Sequence, residues 1–138
     1  MNNKSIQITQ FDFQRLNRLL RKARQSDYCG SETLAELQTE IDHARIVPSQ
    51  AVSQGVVTMN SRVVLRDLAT RKEETYTLVF PEDADIGQGK ISILAPIGTA
   101  MFGYQIGDTF EWEVPAGKRR LKITRIIYQP EAAGDYHL

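Results

Sequence analysis

The fold of this chain is decided by one run in its C-terminal half, which reads Ile91-Ser-Ile-Leu-Ala-Pro-Ile-Gly-Thr-Ala-Met-Phe-Gly-Tyr-Gln-Ile-Gly-Asp-Thr-Phe-Glu-Trp-Glu-Val-Pro115. The run begins with an apolar stretch typical of a strand, and Pro96 suits the first position of a short helix, where no backbone N–H is needed. Gly103 can end that helix, and a Gly-Asp turn leads into an alternating strand. The run therefore predicts a strand, a short helix and a second strand in one α+β layer pair.

The segments on either side of this run predict three more strands, because they are rich in β-branched and aromatic residues and are bounded by turn residues. The five predicted strands are Arg62–Arg66, Thr75–Phe80, Ile91–Leu94, Thr109–Val114 and Leu121–Tyr128. In the fourth, three apolar residues alternate with Glu111 and Glu113. That alternation predicts an antiparallel sheet with one covered face and one solvated face.

The N-terminal part predicts two helices. Thr9 precedes apolar residues at positions 13, 16, 20 and 23, which is the spacing of one helix face, and Asp12 completes a possible capping box with Thr9. Helix one is predicted over residues 10–25, and helix two from Ser31 to about Val47, where Pro48 ends it. The short connector predicts an antiparallel helical hairpin. We therefore expect a hairpin at 1–48, a linker at 49–55 and a globular domain at 56–138.

Composition excludes several function classes. Lysine plus arginine equal aspartate plus glutamate at 17 each, so net charge predicts no strong attraction to nucleic acid or membranes. Cys29 is the single cysteine, and His43 and His137 are the two histidines, which argues against a disulfide or a zinc site. No apolar segment predicts a signal peptide or a membrane helix. We expect a cytoplasmic protein.

No enzymatic motif is recognisable. Gly87-Gln-Gly89 lacks the lysine of a phosphate-binding loop, and no nucleophile and base occur at a recognisable spacing. The sequence therefore predicts no catalytic residues, no metal and no cofactor, and a protein partner is the natural expectation.

Five stretches carry a family resemblance. Pro81-Glu-Asp-Ala-Asp-Ile86, the run at 91–115 and Arg120-Leu-Lys-Ile-Thr-Arg-Ile-Ile-Tyr128 resemble the C-terminal domain of the bacterial Gre transcript-cleavage factors. Val56-Val-Thr-Met-Asn-Ser-Arg-Val63 and the stretch from Tyr128 to Tyr136 resemble the Rnk family, called regulator of nucleoside diphosphate kinase. The resemblance implies a bacterial protein that binds RNA polymerase, with a short coiled-coil hairpin and a C-terminal domain of the FKBP-like fold.

The resemblance also implies where a partner binds. The Gre family's polymerase-contacting region matches Asp83-Ala-Asp-Ile86 and Ala95-Pro-Ile-Gly98, so the candidate partner-binding residues are Asp85, Ala95, Pro96 and Ile97. An acidic side chain beside an apolar one suits a protein interface. The alternative is that Ile97 faces the core and Asp85 only stabilises a turn.

The hairpin tip raises the question of transcript cleavage. The resemblance implies that Gre hairpins offer paired acidic residues to the polymerase's catalytic metal. Here Asp27 and Glu32 are the only carboxylates near the turn, and they do not reproduce the Gre tip motif. Each arm of roughly 15 residues measures about 22 Å, shorter than a Gre hairpin. These features favour a regulator that occupies the polymerase near its secondary channel, competes with Gre-type factors and does not promote cleavage.

Three alternatives remain open at this point. The chain could be a shortened cleavage factor that uses Asp27 and Glu32 to help hold magnesium. It could regulate nucleoside diphosphate kinase through another protein partner, as the family name suggests. The arginines of helix one could contact nucleic acid, although we expect direct binding to be weak or absent. The oligomeric state is not indicated.

Overall fold

The computed structural model describes residues 6–23, 32–114 and 117–135. Its helices and strands occur in the order β1 (Gln7–Thr9), α1 (Gln10–Ala23), α2 (Glu32–Asp42), β2 (Arg45–Val47), β3 (Arg62–Asp67), β4 (Glu73–Val79), β5 (Lys90–Ser92), α3 (Pro96–Met101), β6 (Thr109–Val114), β7 (Gly117–Tyr128) and α4 (Pro130–Ala133). Short 3-10 turns lie at Ser49–Ala51, Pro81–Asp83 and Ile86–Gln88. In these described residues, no helix combines the length and the apolar character that crossing a bilayer requires.

The main sheet has five strands in the order β5-β4-β3-β7-β6. This confirms the predicted α+β class, with the short helix α3 between β5 and β6. Three of the four strand pairs are antiparallel as expected, but β4 and β5 pair in parallel, with Thr77 opposite Lys90. The prediction missed this because residues 80–89 form two 3-10 turns that carry the chain back beside β4, and the sequence alone does not indicate the direction of that return.

One face of the sheet is buried against helices. α3 contributes Ile97 and Met101 to this core, and Gly103 adopts the left-handed conformation just after the helix. The hairpin contributes to the same continuous core, which includes the buried side chains of Leu16, Leu20, Leu37, Ile41, Val63, Leu65, Leu78, Phe110, Leu121 and Ile123. The hairpin and the sheet therefore pack on each other, and the domain boundaries proposed from the sequence stay a prediction.

The beginning of α1 agrees with the predicted cap. The backbone N–H of Asp12 donates to Thr9 Oγ1 at 3.1 Å, which satisfies one of the N–H groups that a helix start leaves unpaired. The helix is described to Ala23, and the predicted connector at 26–31 lies outside the described residues.

The predicted end of helix two near Val47 is wrong. α2 ends at Asp42, and residues 45–47 form β2, which pairs in parallel with β1 so that Ile8 lies opposite Ile46. The N–H of Arg45 donates to the carbonyl of Ile6 at 2.8 Å, the first bond of this pairing. Tertiary pairing with a strand about 40 residues earlier thus overrides the helical spacing of Ile41 and Ala44, because isoleucine and valine fit a strand well.

The segment predicted as a linker is packed against both ends of the chain. Val52 is buried with Val47 and Val56 in a small cluster separate from the main core. The N–H of Ser53 donates to Gln7 Oε1 at 3.1 Å, and its carbonyl accepts from Gln129 Nε2 at 2.8 Å. These contacts tie residues 49–56 to β1 and to the start of α4.

Candidate docking surface and hairpin base

Asp85 shapes the exposed loop that connects β4 to β5. Its carboxylate accepts from the N–H of Gly87 at 3.1 Å and caps the 3-10 turn at Ile86–Gln88. Its backbone N–H and carbonyl both bond to Lys90, each at 2.9 Å, so the loop closes on the first residue of β5. Asp85 therefore performs the turn function considered from the sequence while its side chain stays exposed to solvent.

Ile86 is the apolar feature of this loop. Its side chain is 77% exposed, the highest value among the large hydrophobic residues that the structure describes as exposed. Exposed carboxylates at Glu82, Asp83 and Asp85 precede it closely in sequence. Burial of such a side chain in a partner would remove apolar area from water, and the carboxylates would orient the approach. The signal in the sequence was the Asp-Ile-Gly turn, because turn residues usually lie at the surface.

The second predicted contact segment lies after the other end of β5. Ala95 precedes α3, and its N–H donates to the carbonyl of Ser92 at 3.0 Å. Pro96 opens the helix as predicted, and its side chain lies outside the described part of the structure. Ile97 is only 4% exposed and belongs to the main core, so its side chain points inward, as the alternative proposed. A partner role for this segment stays a prediction.

The turn into α3 is held tightly against β5. A Cβ placed on Gly98 would lie 2.2 Å from the carbonyl oxygen of Ser92, so only glycine allows this approach. Thr99 Oγ1 donates to the carbonyl of Ile93 at 2.6 Å. The backbone at Ala95 and Pro96 therefore has a defined position, and the two predicted contact segments flank the same short edge strand.

The hairpin tip contains the two carboxylates that were considered for transcript cleavage. Asp27 lies outside the described residues, and Glu32 begins α2 with a side chain that is not described. In the described ranges 6–23, 32–114 and 117–135, no group of three or more histidine, cysteine or acidic residues is placed to hold a metal. The metal role weighed for Asp27 and Glu32 stays a hypothesis.

A buried carboxylate joins the hairpin to the rest of the molecule. Asp12 is 1% exposed, accepts from the N–H of Met59 at 3.2 Å and forms an ion pair with Arg15. Burial raises its pKa to about 6, although Arg15 and the Met59 hydrogen bond act in the opposite direction. The nearby carboxylate of Glu131 raises it further. The sequence identified Asp12 only as part of a cap, because its burial depends on residues far along the chain.

Arg15 completes this contact through aromatic rings. Its guanidinium carbon lies 3.9 Å from the centre of the Phe11 ring and 4.7 Å from that of Phe80. Guanidinium groups stack favourably on aromatic faces, and the pair with Asp12 keeps this one oriented. Helix α1 is thus connected to the residue that follows β4.

The C-terminal segment reaches the same region. Thr58 Oγ1 donates to Glu131 Oε1 at 2.7 Å and lies 2.9 Å from Ser61 Oγ. Gln129 Nε2 donates to the carbonyl of Val56 at 2.7 Å. We call Asp12, Arg15, Thr58, Ser61 and Glu131 the hairpin-base cluster, because together they join α1, the loop before β3 and α4.

Both parts of the chain match models of known protein families. The family model described as "Rnk N-terminus" matches residues 4–47, and the one described as "Transcription elongation factor, GreA/GreB, C-term" matches residues 52–128. The chain is 37% identical over 139 residues to the Regulator of nucleoside diphosphate kinase of Escherichia coli (strain K12), with 100% of both chains covered.

Two Gre proteins are also similar. Transcription elongation factor GreA of Streptococcus mutans is 36% identical over 93 residues, which is 67% of this chain and 58% of GreA. The solved structure of a prokaryotic transcription elongation factor GreA/GreB from Nitrosomonas europaea aligns with a TM-score of 0.79 at 37% identity, over 90% of this chain and 100% of that one. The fold and the two-part sequence resemblance are thereby confirmed.

Proposed function

Since this chain belongs to the Rnk family and is a Gre-related transcription factor, we propose that it binds RNA polymerase near the secondary channel in the cytoplasm. Bound there, it competes with Gre-type factors and does not itself promote transcript cleavage. The single observation that carries the docking part of this proposal is the exposed Asp85-Ile86 loop, which lies in the Gre-type domain and presents an apolar side chain among carboxylates.

The docking surface that we propose consists of the loop at 82–88 together with the turn at Ala95 and Pro96. Both segments flank β5 and are held by their own hydrogen bonds, so little order has to be gained on binding. Ile86 replaces Ile97 as the apolar anchor, because Ile97 is already buried in the core. A partner that fits has an apolar recess bordered by basic groups.

The hairpin length supports occupancy without cleavage. The chain runs from the start of α1 at Gln10 to the end of α2 at Asp42, so each arm has at most about 16 residues and measures about 24 Å even if the connector were wholly helical. A hairpin of this length blocks a channel entrance but reaches less far into it than a longer one. Competition then follows from the shared docking site.

The first experiment is binding of the labelled full chain to purified bacterial core RNA polymerase, with unlabelled GreA as competitor. We expect saturable binding that GreA displaces. Ile86→Ser is expected to weaken binding at least about tenfold, since it removes one buried anchor. Ile106→Ser is the matched control, because Ile106 is also an exposed isoleucine in a turn but lies outside the proposed surface. Absence of binding by the folded wild type overturns the proposal.

Cleavage is tested on a backtracked polymerase complex with GreA as positive control. We expect no stimulated cleavage by this chain and a reduction of GreA-stimulated cleavage as its concentration rises. Cleavage that is lost in the Asp27→Asn, Glu32→Gln double variant would instead establish the shortened cleavage factor. Strong binding that GreA does not displace would contradict the shared site while leaving polymerase binding intact.

A further inference from the structure

The face of the main sheet that points away from the core is basic at its centre. Strand pairing places Arg62 beside Thr77 and Tyr128, Val64 beside Arg125, and Arg66 beside Lys122. Side chains at paired positions lie on the same face of a sheet, and this face is opposite to the one that buries Val63 and Leu65. A chain with equal numbers of acidic and basic residues thus concentrates positive charge on one surface.

A row of four side chains crosses this face at one end. Lys90 on β5 pairs with Thr77 on β4, Thr77 pairs with Arg62 on β3, and Arg62 pairs with Tyr128 on β7. With adjacent strands about 4.8 Å apart, the backbones at Lys90 and Arg62 are about 9.6 Å apart. Two long cationic side chains at that separation can contact one phosphate or two linked phosphates, with the Thr77 hydroxyl between them.

The basic residues of this row differ in their ion pairing from the basic residues at the other end of the face. Arg66 forms an ion pair with Glu73 at 3.0 Å, and Lys118 forms one with Glu111 at 3.8 Å. Throughout the ranges that the structure describes, no carboxylate lies within ion-pair distance of Arg62 or Lys90. The positive charge of the row is therefore available to an anion, whereas that of Arg66 is already used within the sheet.

The row lines an open groove with a volume of about 480 Å³, within the range of small-molecule sites. Two other lining residues restrict what fits. Asp83 brings a carboxylate, which repels a bare phosphate but accepts a hydrogen bond from an amino or hydroxyl group. Ile127 is 49% exposed and provides an apolar surface for a ring. Charge, acceptor and apolar surface thus lie in one groove.

We infer that this groove binds a nucleotide whose phosphates are held by Arg62 and Lys90. The Thr77 hydroxyl lies between the two cations, Asp83 accepts from the ribose or base, and Ile127 contacts the ring. This site lies on the outer face of the sheet and does not depend on polymerase binding, although Asp83 also belongs to the loop at 82–88 of the proposed docking surface. The ligand class is a nucleoside diphosphate or triphosphate.

The test is a titration of the isotope-labelled full chain with ADP by NMR, with calorimetry for the affinity. We expect saturable shifts at the amides of Arg62, Thr77, Lys90 and Tyr128. Arg62→Gln and Lys90→Gln should each weaken ADP binding about tenfold, since each removes a charge-assisted hydrogen bond. The matched control is Arg125→Gln, which removes a charge from the same face outside the groove and should change binding less than twofold.

The relative affinities of ADP, inorganic pyrophosphate and adenosine show which parts of a nucleotide the groove recognises. ADP should bind more tightly than inorganic pyrophosphate, and adenosine should show no saturation. Asp83→Asn should narrow the difference between ADP and pyrophosphate, because it removes the repulsion of a bare phosphate. The inference is overturned if ADP does not saturate, or if Arg125→Gln weakens binding as much as Arg62→Gln. It is also overturned if single-stranded RNA binds with steep salt dependence while ADP does not compete.

Discussion

The hairpin base and the loop before β5 each contain an aspartate near the start of a helical segment, but one aspartate is buried and the other is exposed. Asp12 lies in the first turn of α1 and Asp85 caps a 3-10 turn, so both aspartates lie at the start of a helical segment. Asp12 is buried between α1 and the loop before β3, whereas Asp85 is exposed to solvent. The surroundings therefore make one aspartate structural and leave the other available to a partner.

The largest effect should come from removing the buried aspartate. Asp12→Ala removes the ion pair between Asp12 and Arg15 and the acceptor of the Met59 N–H. We expect the free energy of unfolding to fall by about 3 kcal/mol, as when one member of a buried pair is removed. Urea denaturation followed by circular dichroism measures it.

The control is Asp85→Ala, which removes an exposed cap and should lower the free energy of unfolding by less than about 1 kcal/mol. Equal losses in the two variants would contradict the contrast between the hairpin base and the loop.

A smaller loss is expected where the C-terminal segment joins the hairpin base. Thr58→Val keeps the shape of the side chain but removes the hydrogen bond to Glu131, so a buried carboxylate loses a donor. The expected loss is about 2 kcal/mol, since a hydrogen bond to a charged group is broken. Thr75→Val on the exposed face of β4 is the matched control and should change the urea midpoint little. An unchanged midpoint for Thr58→Val would show that α4 does not stabilise the base.

The pH dependence of the free energy of unfolding should report the burial of Asp12. Because the folded-state pKa of Asp12 is about 6, above the ordinary aspartate value of 3.8, the folded state binds this proton more tightly than the unfolded state does. The contribution of Asp12 to stability therefore rises as the pH falls from 7 towards 4, by about 1 kcal/mol between pH 7 and pH 5. Asp12→Asn should remove this contribution, measured as the difference in urea midpoints at the two pH values.

At still lower pH, protonation of Asp67 should lower the free energy of unfolding. The pKa of Asp67 is lowered because Arg119 and the N–H groups of Ala69 and Thr70 bond to its carboxylate. Its contribution is present above its unfolded pKa and is lost as the pH falls through the folded value. A wild-type stability that decreases steadily from pH 7 to pH 5, unchanged by Asp12→Asn, would contradict the assignment of Asp12.

The smallest effect on stability is expected in the docking loop. Ile86→Ser replaces an exposed side chain, so the free energy of unfolding should change by no more than about 0.5 kcal/mol. The melting temperature checks this and shows that any lost polymerase binding is not a folding defect. A marked destabilisation would mean that Ile86 packs within the chain and would remove it from the proposed surface.

Much of the fold was predictable because its signals are local. The five strands follow from β-branched and aromatic runs between turns, α3 begins at Pro96, and the Thr9 cap appears at the start of α1. The end of α2 and the parallel pairing of β5 were not predictable in this way. Both depend on which distant strand the backbone meets, and residues 45–47 meet β1 while β5 meets β4.

The candidate site also combines features that the sequence indicated with features that depend on the tertiary structure. The sequence resemblance pointed to the loop containing Asp85 and to the turn at Pro96, and the structure positions both beside β5. The partner role of Ile97 stays a prediction, but its helical spacing directs its side chain into the core, whereas Ile86 is exposed. The sequence did not reveal the hairpin-base cluster. Asp12 and Thr58 are 46 residues apart, and Thr58 and Glu131 are 73 residues apart.

By itself the sequence determined the family, the α+β class and the local starts and ends that proline, glycine and capping residues impose. These depend on backbone sterics and on hydrogen bonds between near neighbours, which any short segment carries with it. Only the tertiary structure decided which carboxylate is buried, which isoleucine is exposed and which cations share a groove. Those properties depend on desolvation and on spacing across strands, so they exist only when distant residues have been brought together.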